Sequence, residues 1–377
     1  MENQTVFSQL PEALVDEMLL KSEKIGEELF NSFMKLQKNK EEIRKQLKDK
    51  GILKNDSDFG YPGIPTTCGV DGSYVVERLL STDLIACAAV AIEGLAPPSE
   101  TRYWQKPNHL VFISPERHNP SSGTVIRGIM MGMEFNLAVK APHDVVMLDG
   151  SLTTPLIYMN QALNSLPDYG NGHLSEKLTN EFKEFLISYK TIIEAPRTDK
   201  LWVGLPKYTT RRELGEKFGW PSYYDDRAIL TSLLLPGEFT VPIRLEKPEQ
   251  PWHLKVPLKD NELTKLRDEV LTGINRLCVV YYRPHRWTPA LRIEMAYSIA
   301  TNRSRLAILF QGLKYQSSTA GIMEPYPLYL ADRMVKHLGS AIPAFRQTAT
   351  RRMTELYSGD ISEIFFNMHG YRTERGK

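Results

Sequence analysis

The apolar positions of the chain begin at helical spacing and then change period. Over residues 11–48, Val15, Leu19, Ile25, Leu29, Phe33, Leu36, Ile43 and Leu47 recur about one helical turn apart among dense Lys and Glu, which predicts one long amphipathic helix or two in tandem. Such a helix either packs on its own domain or acts as an arm for a second subunit or a partner protein, and the pattern leaves both open. Residues 55–67, rich in Asp, Gly and Pro, read as the loop into the core. Strands are expected at 67–73, 83–93 and 109–114, a meander. Residues 124–139 place Ile126, Ile129, Met130, Met133 and Leu137 at helical spacing with the charged Glu134 among them. A compact apolar strand at 144–148 follows, then helices at 155–163 and 174–193 and a strand at 201–205. Beyond it we expect a short charged helix at 209–218, strands at 228–235 and 239–245 split by Pro236-Gly237, a helix at 263–277, a strand at 278–282 and a last core helix at 328–338 introduced by Pro325 and Pro327. The domain reading is a helical arm at 1–54, an α/β core at 55–340 with an insertion at about 208–260, and a helical, basic extension at 341–377.

Composition narrows the classes. With 42% hydrophobic and 24% charged residues the chain is an ordinary globular one. Its 47 Lys+Arg against 45 Asp+Glu leave a net charge of +2, so any nucleic-acid binding must come from a local patch. Cys68, Cys87 and Cys278 form no Cys-x-x-Cys, which argues against a disulfide framework or structural zinc and fits a reducing cytoplasm. The longest apolar run, 84–92, is too short to span a bilayer, and the start lacks the basic-then-apolar order of a secretion signal.

The chemistry is carried by a repeated signature. Gly69-Val70-Asp71-Gly72-Ser73 and Met147-Leu148-Asp149-Gly150-Ser151 each set Asp-Gly-Ser at the end of an apolar run. A strand ending this way points a carboxylate out of the sheet, while the glycine leaves room for a phosphate to approach the backbone. Hydrolysing a phosphodiester calls for an activated water and relief of developing charge; two divalent cations about 4 Å apart supply both and take carboxylate ligands. Asp71, Glu134, Asp149 and Asp332, each in an otherwise apolar neighbourhood where co-ligating a metal removes the cost of an unpaired carboxylate, are the candidate catalytic acids. Tyr281-Tyr282-Arg283-Pro284-His285-Arg286-Trp287 interleaves cations and rings, so Arg283, Arg286 and Trp287, with Lys207 and Tyr326, are the candidate DNA contacts. Ser73 and Ser151 lie in no nucleophile elbow, and their hydroxyls are expected to bond nearby backbone groups or a metal-bound water.

The order of Val-Asp-Gly-Ser, a Glu in Gly-Met-Glu-Phe, Leu-Asp-Gly-Ser, and finally Glu324-Pro325-Tyr326-Pro327-Leu328 with Ala331-Asp332 resembles the NurA nuclease family over roughly residues 68–337. The resemblance implies an α/β, ribonuclease-H-like mixed sheet flanked by helices and manganese-dependent cutting of single-stranded DNA. It also implies 5′ to 3′ exonuclease action on DNA ends, and a dimer docked on a hexameric HerA-type ATPase. Asp71, Glu134 and Asp149 match the family's metal-binding acids, with Mn²⁺ (or Mg²⁺) and two ions per site expected. Relatives often carry a His where this chain has Asp332, so the fourth position stays open between Asp332, Tyr326, Tyr329 and His337. The expected protein is a cytoplasmic nuclease of DNA end resection or of defence against foreign DNA, with a non-catalytic adaptor subunit or an actin-like ATPase as the alternatives.

Overall fold

Strand pairing in the computed structural model, which describes residues 10–168, 172–257 and 260–376, follows from a run of Val- and Ala-rich segments. In chain order the elements are α1 (Glu12–Asp49), β1 (Leu53–Asn55), β2 (Thr67–Leu79), β3 (Asp83–Glu93), β4 (Asn108–Glu116), α2 (Ser122–Lys140), β5 (Val145–Asp149), α3 (Thr154–Ser165), α4 (His173–Glu194) and β6 (Leu201–Leu205). There follow α5 (Glu213–Phe218), α6 (Asp226–Leu233), β7 (Glu238–Thr240), β8 (Ile243–Arg244), α7 (Asn261–Ile274), β9 (Cys278–Tyr282), β10 (Leu291–Met295), α8 (Tyr297–Ala300), α9 (Arg303–Gln316), α10 (Tyr326–Lys336), α11 (Leu338–Leu356), α12 (Ile361–Asn367) and β11 (Gly370–Gly376). The sheet runs β1-β7-β9-β10-β6-β5-β2-β3-β4. β2, β3 and β4 form the antiparallel meander, and β5 and β6 add in parallel through helical crossovers. This is the ribonuclease-H-like core, widened by β10 and β9 on the far side of β6.

The register of the two central strands is set at their starts. Thr66 donates its N–H and its hydroxyl to Asp144 Oδ2, both at 2.8 Å, and its Oγ accepts the Asp144 N–H at 3.0 Å. From there Thr67 aligns with Val145 and Val70 with Leu148. The next step along each strand is Asp71 and Asp149.

Helices cover both faces. α2 is apolar nearly all round because it is wedged between the sheet and α3 and α4: Val125, Ile126, Ile129, Met130, Met133 and Leu137 are buried, each contributing on the order of 1.5–3 kcal/mol. On the other face lie α9 and α10, whose Gly312 and Pro327 approach Thr67 and Gly69 of β2. Among the described side chains of α1, those at its end are the ones buried. Ile43 and Leu47 join the cluster of α6, and Arg44 grips Glu238 of β7 with two hydrogen bonds of 2.7 and 2.5 Å. Among the described residues no helix is long and apolar enough to cross a membrane.

Several expectations change. The strand expected at 67–73 does not end at Asp71-Gly72 but runs on to Leu79, because Tyr74, Val75 and Val76 continue the pairing with β3. The strand expected over 228–235 is the helix α6, capped by Asp225, whose carboxylate accepts the Ala228 N–H at 2.9 Å. A short apolar run fits both periods, and here Ile229, Leu230 and Leu233 form one buried helical face. β10 and α9 lie outside the expected elements: β10 carries buried charges, and α9 buries Arg305 and Gln316 together with its apolar residues, so neither shows a clean pattern. The C-terminal extension is helical in α11 and α12 and also supplies β11, which pairs with β2.

Candidate metal centre

The parallel register brings Asp71 and Asp149 side by side, and α10 lays Asp332 over them. Carboxylate oxygens of Asp71, Asp149 and Asp332 all lie within 4.8 Å of one another. Two glycines make this approach feasible. A Cβ on Gly69 would stand 2.5 Å from the Pro327 carbonyl carbon and 2.6 Å from the Leu328 nitrogen, so α10 can sit on β2 only over a glycine. Gly69 and Asp71 share that face by strand alternation. On the opposite face a Cβ on Gly72 would meet Glu134 Oε1 at 2.5 Å. Glu134 therefore reaches the sheet from α2 in the space Gly72 leaves. The glycine of the first signature thus admits a protein carboxylate rather than a ligand.

β5 behaves as expected of a strand that delivers a carboxylate at its end. It stops at Asp149, and Gly150 turns the chain with φ of 102°.

Lys207 adds a cation to the acids. Its ammonium lies 3.0 Å from Asp149, 3.0 Å from Glu324 and 3.4 Å from Asp332. Burial works against its charge, but Asp149 and Glu324 outweigh that and hold its pKa above the ordinary value. Burial likewise pushes the Glu324 carboxyl up, with Lys207 opposing. Asp332 is also buried, yet Lys336, which donates to it at 2.7 Å, and Lys207 bring its carboxyl below the usual range. Asp71, Asp149, Asp332 and Glu324 thus face the two ammonium groups of Lys207 and Lys336, a negative excess made of hard oxygen donors. Such a donor set fits a divalent cation of the Mg²⁺ or Mn²⁺ type. Glu324 belongs to the Glu-Pro-Tyr-Pro-Leu motif, but as a loop residue it carries no periodic signal that would mark it as part of the site.

The other candidate DNA contacts scatter. Arg283 is committed to the main chain, donating to the carbonyls of Thr231, Leu234, Arg286 and Thr288 at 2.8–3.1 Å. Arg286 is exposed, and Trp287 is half exposed with its ring stacked on His285 at 4.6 Å. Tyr281 and Tyr282 are core residues. Tyr326 opens α10 and lines a cavity of about 350 Å³ with Arg102, Trp104, Lys106, Arg333 and His337. Tyr329 accepts a hydrogen bond from Arg333 at 2.9 Å, and His337 caps the end of α10. A larger cleft of about 980 Å³ adjoins the acids, lined among others by Thr153, Lys207, Tyr208, Arg211, Arg227 and Glu324. Arg227, in the first turn of α6, lies just before the run expected as a strand and has no sequence signal.

The sequence model of the NurA domain matches residues 65–337. The chain belongs to the NurA family. Its fold is similar to that of the NurA nuclease from Sulfolobus solfataricus, with a TM-score of 0.61 at 13% identity over 93% of this chain and 99% of that one. It is also similar to a NurA crystal structure (TM-score 0.54, 14% identity, 91% and 99% covered) and to NurA bound to dAMP and manganese (TM-score 0.51, 14% identity, 85% and 96% covered). Among curated proteins none matches the chain. Membership bears out the resemblance read from the ordered acids, and these structures bear out the mixed sheet flanked by helices.

Proposed function

We propose that this NurA family member is a metal-dependent DNA nuclease. The observation that carries the reading is the convergence of Asp71, Asp149 and Asp332 within 4.8 Å at the end of a parallel strand pair, beside a cleft that Lys207 and Arg227 line. The relative solved with dAMP and manganese supports it. Asp71, Asp149 and Asp332 would hold the metal, with Glu134 completing the set from α2. A bound divalent cation lowers the pKa of water and offsets charge on the leaving oxygen. Lys207 is placed to donate to a phosphate oxygen as a point charge, and the hydroxyls and arginines of the cleft to hold the neighbouring backbone. Arg286, Trp287 and Tyr326 remain the residues for more distant contacts with the strand.

The finer reading follows the family. Two Mn²⁺ ions per site, cleavage within single strands and 5′ to 3′ from ends, and work beside a hexameric HerA-type ATPase in end resection or defence, in the cytoplasm, complete the proposal. The apolar side chains exposed along α1, among them Leu19, Leu29, Phe30 and Phe33, support a homodimer or partner contact there. The arm, core and C-terminal extension would then divide the work of contact, chemistry and guidance.

The test is cleavage of end-labelled single-stranded DNA with Mn²⁺, Mg²⁺ or EDTA by the natural chain and by Asp149→Asn, both confirmed as folded. Metal-dependent cutting that the variant lacks is expected. Cutting by the natural chain that survives EDTA or the substitution overturns the metal reading, and no cutting even with the ATPase added favours the adaptor.

A further inference from the structure

We propose that Glu294 is a positioning residue for Asp149, acting through the turn that follows it; the inference rests on Asp149 being a metal ligand. Glu294 is the fourth residue of β10, buried, and lies opposite Gly204 across the antiparallel pair of β10 and β6. Its Oε2 accepts the Ser151 hydroxyl at 2.7 Å and the Leu152 N–H at 2.9 Å. The Leu152 carbonyl in turn accepts the hydroxyl of Tyr189, a fully buried residue of α4, at 2.6 Å. Gly204 supplies the floor: a Cβ there would stand 2.8 Å from the Gly150 carbonyl oxygen and 2.9 Å from Leu152 Cγ. Residues 150–152 are therefore held from β10, from α4 and from β6 at once. They are the residues that leave the sheet immediately after Asp149.

The means of holding them is costly. Burying a carboxylate costs several kcal/mol unless it is paired, and an Asn or Ser would satisfy a turn amide without charge. Here a buried cation opposes the charge from behind. Arg292 Nε donates to Glu294 Oε1 at 3.0 Å, and the same guanidinium is clamped by Glu213 of α5 at 2.6 and 2.7 Å. One oxygen of Glu294 is thus fixed by a buried cation, which leaves the other aimed at Ser151 and Leu152. Groups that hydrogen-bond a metal ligand set its orientation and typically change metal affinity about 10–100-fold when removed, and Glu294 stands one step further back, on the turn that carries the ligand. Glu294 acts on Asp149 in this way without touching the metal or the substrate.

The measurement is the dissociation constant of Mn²⁺ alone, read from the electron paramagnetic resonance signal of the free ion during titration of the full chain without DNA. Thermal unfolding is recorded alongside. Glu294→Gln cannot accept from Arg292 and from Leu152 together, and it is expected to weaken Mn²⁺ binding several-fold, less than the roughly 10–100-fold of a group bonded to the ligand itself. Ser151→Ala is expected to weaken it less, Ser151→Thr to keep it near the natural value, and Tyr189→Phe to weaken it while removing only a hydroxyl. Should Glu294→Gln fail to fold, Ser151→Ala and Tyr189→Phe decide, since both leave every buried charge paired. Folded variants that bind Mn²⁺ as tightly as the natural chain, while Asp149→Asn binds it more weakly, overturn the inference alone. If Asp149→Asn also binds as tightly, the metal reading of the site falls and this inference with it.

Discussion

Asp71-Gly72-Ser73 lies inside a strand, paired to β3 throughout, whereas Asp149-Gly150-Ser151 closes β5 and turns away at a glycine of φ 102°. On the other edge of β2, pairing with β5 stops at Val70 and pairing with β11 begins at Tyr74, so residues 71–73 sit between the two partners. The same three residue types therefore do different physical work. In the first copy the glycine is needed for what packs against it, Glu134 on one face, while Gly69 three positions earlier admits α10 on the other. In the second copy the glycine is needed for its backbone angle, because a Cβ there would meet nothing within 4 Å. A short motif specifies residue types, and the surrounding elements decide which property of each residue is used.

The comparison breaks most readily at Gly69. Alanine there collides with backbone atoms of α10, which cannot rotate away, so we expect a loss of about 1–3 kcal/mol in thermal unfolding and cleavage reduced at least tenfold as Asp332 moves. Unchanged cleavage would show that the position of α10 is not critical to the chemistry. Gly72→Ala meets a flexible carboxylate instead. Its expected signature is about a tenfold loss of cleavage, a smaller change in melting temperature, and little further loss when combined with Glu134→Gln, since both changes act on one group. Full additivity in that double variant would separate Glu134 from Gly72.

Gly150→Ala tests the other use of glycine. With open space around it the cost is backbone strain, about 1–3 kcal/mol, and the melting temperature should fall whatever small side chain is introduced. Equal stability of the alanine variant would mean that the turn relaxes. The smallest effect is expected at the opposite end of the same strands, where His143 is buried. Burial pushes its imidazole down to about 4 from 6.5, with Glu93 opposing. The unfolded chain therefore binds the proton first, so this contribution is complete above pH 6.5 and is lost as the pH falls toward 4. Between about pH 7 and pH 6 the loss is less than about 1 kcal/mol, measurable as a slope in melting temperature that His143→Phe flattens.

Much of the core is legible because its periods are clean. The meander, the short parallel strands β5 and β6, and the long helices α1, α2 and α4 follow from alternation or helical spacing. Asp71 and Asp149 are legible as a pair because both end an apolar run in the same three residues. What fails has mixed signals. The run 228–235 suits a strand until Asp225 caps it as a helix. β10 reads as polar because Arg292 and Glu294 are buried in a network that folding assembles from partners 79 and 143 residues away in sequence.

The sequence by itself determined the order of elements around the two acids, since local spacing and the ends of apolar runs carry that information. It also determined the family, through the succession of short acidic motifs. Tertiary structure decided how the acids named from the sequence meet and which further groups join them. Asp332 joins Asp71 because Gly69 lets α10 approach, Lys207 and Glu324 enter because loops far apart in sequence converge, and Glu294 reaches the Asp149 turn across β6. These are contacts between distant segments, whose partners no local pattern specifies.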